Sequence, residues 1–402
     1  MYNTLMKSLM CSIVLSILLS ACPLTAAISA DSGKPVFLKR SGTQLLLDGK
    51  PFRAVSVVKY DLFRQFLMED GEKAAANIRD MSKRGFSLTR AGMVGFYPQE
   101  MELWPSAEYW KRMDAAVTVA RENNIKLIPT IVWNWYLFTD MANETMQDLL
   151  TNKDSKSRQY LDLYVSQVVE RYKDDPTILF WEIGNELNLG ADLEFMRPYG
   201  FSELNLVASG AAYMRVRRDN YTSDQMIPFT RDLAKLIKSI DKNHLVSTGQ
   251  SAPRPAAQHL RLANGKGDWT GDSPEEAETY IRDLTPDPVD LISLHYYPGI
   301  DNLRFGNKNK NSAIALRDLK KICDRIGKPG YIGETGGEAY AGTPESVSPF
   351  TADVIKEAVD AKFPIILYWL TGGENPLQFD LDKTPALNKL LLKANGQLTI
   401  DN

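Results

Sequence analysis

Short runs of consecutive apolar residues alternate along this chain with longer stretches in which apolar positions recur every third or fourth residue. The short runs are RAVSVV (53–58), FSLTRA (86–91), KLIPTIV (126–132), ILFWEIGNE (178–186), HLVSTG (244–249), LISLHYY (291–297), PGYIGET (329–335) and PIILYWL (364–370). Several are apolar on both sides of the pleat, as parallel strands covered on both faces must be. The periodic stretches include 72–85, 109–124, 157–175, 226–241 and 311–327, and their i, i+3, i+4 spacing predicts amphipathic helices. Strand followed by helix, repeated eight times, predicts an α/β chain folded as a single (β/α)8 barrel with long βα loops. A doubly wound open sheet is disfavoured because no Gly-rich turn follows the first strand. The segment 36–52 predicts a short β-hairpin with its turn at Asp48-Gly49, closing the bottom of the barrel. The longest connection, about 187–243, has an irregular stretch before its helix, and long loops of this kind usually carry function.

Composition narrows the class. The 402 residues are 44% apolar and 24% charged, which leaves ample material for a core. With a net charge of -3 and no Lys/Arg run, no nucleic-acid partner is expected. The one basic patch, Arg215 to Arg218, reads as a solvated helix face. Residues 1–30 are set apart as a targeting segment: Lys7 precedes the apolar stretch 9–19, which is too short to span a bilayer. Leu19-Ser20-Ala21-Cys22 resembles a bacterial lipobox, making Cys22 a lipidation candidate; plain cleavage near Ala27 or Ala30 is the alternative. The protein is therefore expected outside the cytoplasm, either lipid-anchored to the bacterial envelope or secreted, with 31–402 as its one folded domain and a monomer as its state. Cys323 is the sole cysteine beyond the leader, so no internal disulfide or Cys-rich metal site is expected.

The chemistry concentrates at the carboxyl ends of the predicted strands, where barrel enzymes place their sites. Glu186 ends the fourth strand and Glu334 the seventh, so their ends face one another across the mouth. Two carboxylates over one cleft suit glycoside hydrolysis: one protonates the departing oxygen and the other attacks the sugar carbon. Glu182 lies deeper and reads as a buried, paired structural acid. Arg90 ends the second strand, where a fixed positive charge can hold a nucleophilic carboxylate ionised. Asn185 suits a sugar hydroxyl. Tyr297 is placed to orient Glu334, and His295 to hold Glu186 or the sugar. Trp369 ends the eighth strand and offers a stacking face. Trp133, Asn134 and Trp135 are candidate subsite walls. Three scattered histidines, none on the first strand, argue against a zinc site, so no metal and no cofactor is expected. No nucleophile elbow, phosphate loop or dinucleotide fingerprint is present.

The motifs WEIGNE, LHYY and GET, spread over most of the chain from about Phe52 to Trp369, resemble those of glycoside hydrolase family 5, the cellulase and mannanase group of retaining barrel glycosidases. The resemblance implies that Glu186 is the acid/base and Glu334 the nucleophile, with carboxyls about 5 Å apart. It also implies a raised Glu186 pKa while Glu334 is ionised beside it. VWNWY (132–136), 219–229 and 237–249 are similar to the mannanase branch. Lys59-Tyr60, Leu187 after Glu186 and Ala91-Gly92 after Arg90 depart from its usual pattern. The substrate implied is a β-linked polysaccharide or its oligosaccharides, with β-1,4-mannan foremost. A β-1,4-glucanase or exo-β-glycosidase of the same family is the alternative. From another class, a glycan-binding surface lipoprotein without catalysis remains.

Overall fold

In the computed structural model, residues 35–193, 204–297, 314–336, 349–369 and 385–400 are described. The 1–30 leader and Cys22 lie outside these residues, as does most of the Gly-rich segment 334–343. A three-stranded antiparallel meander comes first: β1 (Lys39–Ser41), β2 (Gln44–Leu47) and β3 (Lys50–Pro51). It exceeds the expected hairpin by one strand. Its second turn falls at Asp48-Gly49, where both residues take positive φ, as a type I′ turn requires.

Eight parallel strands follow, each at one of the predicted runs. They are β4 (Ala54–Val57), β5 (Leu88–Gly92), β6 (Lys126–Val132), β7 (Trp181–Gly184), β8 (Val246–Ser247), β9 (Ile292–Tyr296), β10 (Gly330–Thr335) and β11 (Ile365–Tyr368). They pair as two four-stranded sheets, β4-β11-β10-β9 and β5-β6-β7-β8. One seam is joined by the parallel bridge Ser247–Leu291. The other is joined by backbone bonds just past β4, from Lys59 N to the Arg90 carbonyl (3.1 Å) and from Gly92 N to the Tyr60 carbonyl (2.8 Å). The result is a (β/α)8 barrel. Its fifth strand is only two residues long, because the chain from Thr248 onward turns away to build the site.

The helices that cover the barrel include α1 (Leu62–Met68), α2 (Glu72–Lys83), α3 (Ala107–Glu122), α4 (Leu137–Ala142), α5 (Met146–Thr151), α6 (Lys156–Tyr172), α7 (Leu204–Ala208), α8 (Ser223–Ile240) and α9 (Ala257–Leu262). After them come α10 (Pro274–Leu284), α11 (Leu316–Ile326), α12 (Pro349–Asp360) and α13 (Pro385–Ile400). Caps set the starts of several: the Ser106, Ser155, Thr222 and Ser273 side chains accept from the third helical N–H. Outward strand residues such as Val57, Trp181 and Ile332 belong to the larger apolar cluster shared with the helices.

A second cluster lies inside the barrel and gathers Ala54, Val58, Leu88, Ile128, Phe180, Leu245, Leu291, Tyr331, Ile365 and Leu367. Leu38 and Leu45 of the meander belong to it, and Lys39 and Arg40 donate to the carbonyls of Asn243 and Asp290. Those carbonyls precede β8 and β9, so the meander caps the amino-terminal end. The patch Arg215 to Arg218 is solvated as expected at Arg217 and Arg218, whereas Arg215 is half-buried. Arg215 forms a two-point ion pair with Asp140 (2.6 and 2.8 Å) and lies 3.9 Å from the Tyr136 ring centroid. Arg218 pairs with Asp148. Arg215 and Arg218 thus tie the long connection to α4 and α5, while Arg217 and Arg218 stay exposed to solvent.

Candidate active site

Above the apolar plug the barrel interior turns polar, and Arg90 is its hub. The residue is fully buried. Its Nε donates to Glu182 Oε1 (2.6 Å), one terminal nitrogen donates to Glu334 Oε1, and the other to Asn185 Oδ1 (2.9 Å). Burial works against the guanidinium charge, but Glu182 and Glu334 more than offset it and hold the pKa above its ordinary value. Glu182 also accepts from Thr130 Oγ1 and the Tyr331 hydroxyl, both at 2.6 Å. Burial alone would raise the Glu182 pKa; Arg90 and His295 reverse this and the net shift is downward. Fully buried and fully bonded, Glu182 supports Arg90 from below and cannot reach a ligand.

Two backbone irregularities aim the upper carboxylates. Along β10, Ile332 pairs with Leu294 but Glu334 pairs with His295, so Gly333 is the extra residue of a bulge. Tyr331 points inward, and regular alternation would turn Glu334 outward; the bulge inverts that parity and brings it to the mouth. A Cβ at Gly333 would lie 2.9 Å from the His295 ring, which is why glycine fits. Glu186 takes the left-handed conformation (φ 49°, ψ 35°), sparsely populated for a residue with a side chain. Its N–H donates to the Gly249 carbonyl (2.9 Å). At Gly249 itself, with φ +74°, a Cβ would stand 2.0 Å from the Gly184 carbonyl.

The two carboxyls meet at His295. Its Nδ1 lies 3.1 Å from Glu186 Oε1 and 3.5 Å from Glu334 Oε1. Donor atoms of Glu186, His295 and Glu334 all lie within 4.8 Å of one another. With two carboxylates before Nδ1 and no hydrogen-bond partner for the buried Nε2, the ring proton belongs on Nδ1. Tyr297 donates its hydroxyl to the other oxygen of Glu334 (3.0 Å). The Glu334 side chain is 7% exposed and that of Glu186 14%, so Glu186 is the more open of the pair. Burial pushes the Glu334 carboxyl upward and neighbouring Glu186 adds to it, while His295, Arg90 and the Tyr297 bond pull it down. Two carboxyls this close share one proton between them. Arg90 and Tyr297 donate to Glu334 and favour its ionised form, but burial and the Glu186 charge outweigh them and its net pKa shift is upward.

The remaining expected residues separate into three positions. Asn185 Oδ1 faces Arg90, which has only donors, so its NH2 end is the one left for a sugar hydroxyl. Trp133 and Trp369 lie at the mouth with ring centroids 5.8 Å apart, and Arg90 stands 4.8 Å from the Trp133 centroid. Trp135, expected as a subsite wall, is instead buried at 8% exposure, and its Nε1 donates to the Asn185 carbonyl (2.7 Å). It holds the end of β7 from beneath. Asn134, also expected as a wall, has both ends occupied: it donates to the Phe96 carbonyl (2.7 Å) and accepts from Tyr136 N (3.1 Å). Sequence reasoning missed Tyr60 and Phe96, which stack with Trp369 and Trp133. Tyr60 follows the first strand and carried the same strand-end signal as Trp369; Phe96 sits in a loop with no periodic signal.

Residues 47–372 match the family model for cellulase, glycosyl hydrolase family 5. Mannan endo-1,4-beta-mannosidase 3 of Arabidopsis thaliana is 24% identical, over 98% of this chain and 97% of its own. Mannan endo-1,4-beta-mannosidase F of Aspergillus clavatus is 25% identical over 56% of this chain, which spans 44% of that protein. Among solved structures, the endo-1,4-beta-mannanase of Rhizomucor miehei superposes with a TM-score of 0.62 at 20% identity, covering 89% of this chain and 99% of that one. The beta-mannanase of the blue mussel Mytilus edulis gives 0.57 at 18% identity, covering 90% and 99%. At these identities the structural likeness speaks for the barrel, while the sequence match over most of the chain speaks for kinship: the chain belongs to the cellulase family, glycosyl hydrolase family 5.

Proposed function

We propose that this O-glycosyl hydrolase cleaves internal bonds of β-1,4-mannan by a retaining double displacement, with Glu334 as nucleophile and Glu186 as acid/base. One observation carries the chemistry. One oxygen of each carboxyl lies within 4.8 Å of one on the other, whereas an inverting enzyme needs about 6.5–9.5 Å between carboxyl groups to admit a water. The mannan assignment rests on the mannan endo-1,4-beta-mannosidases among the relatives.

In the first step Glu334 attacks the anomeric carbon, the glycosidic C–O bond breaks, and Glu186 gives its proton to the departing oxygen. Arg90 and Tyr297 keep Glu334 ionised and aimed, and the Asn185 NH2 binds a hydroxyl of the same sugar. Forming the glycosyl ester removes the Glu334 charge, so Glu186 becomes the stronger acid and loses its proton more readily. It then takes a proton from water, whose oxygen attacks the anomeric carbon and releases Glu334. His295, donating to Glu186, steadies it in both forms. Export through the 1–30 segment, with or without lipidation at Cys22, fits a polymeric substrate outside the cell.

The test is release of reducing sugar from a panel of β-mannans and β-glucans by protein lacking residues 1–30, with Glu334→Ala as control. Turnover of mannan, abolished in Glu334→Ala, is expected. Turnover of glucan alone rejects the substrate. Tight glycan binding by both proteins without any turnover rejects catalysis.

A further inference from the structure

Glu186 leads directly into a 3-10 turn over Leu187–Leu189. Each of the three carbonyls of that turn accepts from a side chain elsewhere. The Tyr221 hydroxyl donates to the Leu187 carbonyl (2.7 Å), and one terminal nitrogen of Arg254 donates to those of Asn188 and Leu189 (3.0 Å each). The other terminal nitrogen of Arg254 donates to the Ala191 carbonyl (3.1 Å). Arg254 is 3% exposed, so its charge is almost wholly removed from water. Burying a guanidinium is costly, and a surface turn does not need one, because water satisfies its carbonyls.

The segment that carries Arg254 grips the turn in a second way. Asn188, 2% exposed, donates its Nδ2 to the Ser251 carbonyl (2.9 Å) and accepts from Ser251 N on Oδ1 (3.0 Å). Gln250 Oε1 accepts from Asn188 N (2.8 Å), and the Gly249 carbonyl accepts from the N–H of Glu186 itself (2.9 Å). On its other side the segment reaches His295, whose carbonyl accepts from Ala252 N (3.0 Å) and Ser251 Oγ (3.1 Å). Residues 249–254 therefore hold the backbones of Glu186 and His295 together. These are the two residues whose side chains meet at 3.1 Å. The early end of β8, at Ser247, releases the chain to make this bracket. A left-handed glutamate persists only where its surroundings over-determine it, and the bracket is what does so here.

We propose that residues 249–254 form a positioning bracket for the acid/base, with Arg254 and Asn188 as its positioning residues. Both are too deeply buried to touch a sugar. They act through the backbone of Glu186, holding its carboxyl at one distance from His295 and in line with the departing oxygen. This rests on the acid/base reading of Glu186, and it carries a particular signature. Proton donation matters most when the departing oxygen is a poor leaving group, and hardly at all when that oxygen is already stable as an anion.

Leaving-group dependence is the first readout. kcat/KM is measured on phenyl and 2,4-dinitrophenyl β-mannobiosides for wild type, Arg254→Ala, Arg254→Lys, Asn188→Ala and Trp181→Phe. Arg254→Ala and Asn188→Ala are expected to lose about tenfold or more on the phenyl glycoside and under about threefold on the dinitrophenyl one. Arg254→Lys should recover part of the loss, since an ammonium still donates to a carbonyl. Trp181→Phe, which removes a bond to Asp241 (2.7 Å) away from the bracket, should lower Tm without favouring either leaving group. If Arg254→Ala does not fold, Arg254→Lys and Asn188→Ala carry the comparison. The second readout needs no turnover. With three histidines in the chain, ring 15N–1H NMR resolves His295. Loss of the bracket should shift the His295 Nδ1 proton signal and leave that of His244, bonded to Asp241 (2.7 Å), in place. Equal losses on both leaving groups, or an unchanged His295 signal in the folded variants, overturn the proposal. A wild type without turnover of any glycoside, together with a shifted His295 signal in the variants, instead removes the hydrolase reading and leaves the bracket standing.

Discussion

Replacing Tyr297 by Phe removes one hydroxyl and keeps the ring, so the fold is little disturbed. The hydroxyl donates to Glu334 Oε2 at 3.0 Å, a bond to a carboxylate that is nearly buried. Hydrogen bonds to charged groups contribute about 1.5–3 kcal/mol net, and Tyr297 is half-buried, so the lower end applies. At about 1.4 kcal/mol per pKa unit, loss of the bond raises the Glu334 pKa by about one unit. The bond favours the ionised form, so its removal favours the proton. The form of Glu334 able to attack is then lost at a higher pH. In kcat/KM measured from pH 3 to 9 on soluble β-mannan, the acid limb of Tyr297→Phe is expected to move up by about one pH unit, with the basic limb in place. An acid limb that stays put while kcat/KM falls equally at every pH would refute the reasoning and make the hydroxyl a sugar contact instead.

Glu334→Gln should lower kcat by more than about 10⁴-fold, yet melt at a higher temperature than wild type at pH 7. The sign follows from a folded-state pKa raised above the ordinary 4.5: such a group favours folding below that value and loses the contribution as pH rises, so the gap in Tm should close as pH falls toward 4.5. Gly249→Ala should cost about 2–3 kcal/mol in urea unfolding, since the new Cβ meets the Gly184 carbonyl at positive φ. EDTA should leave activity unchanged, because the proposed double displacement needs only the two carboxyls Glu186 and Glu334 and a water.

The barrel was legible because parallel strands covered on both faces must be apolar throughout, and eight such runs mark it. Glu186, Glu334, Arg90, His295 and Tyr297 could be placed together because strand ends in a barrel converge whatever the spacing in sequence. What could not be read was side-chain direction after an irregularity. The bulge at Gly333 reverses the parity of Glu334, and a left-handed residue at Glu186 has no propensity signal. Trp135 and Asn134 adjoin Trp133 in sequence but turn inward because the chain makes a turn there ahead of the short helix Leu137–Ala142, which one-residue counting does not reveal. Phe96 was invisible for the same reason: its place is set by Glu100, Asn134 and Arg64, contacts made only after folding.

The most direct measurement is to trap the covalent intermediate with an activated 2-deoxy-2-fluoro-β-mannoside and map the labelled peptide by mass spectrometry. One glycosyl group per chain on Glu334 is the expected result. A label on Glu186, or full turnover to product of inverted anomeric configuration with no label at all, would contradict the double displacement assigned to this pair.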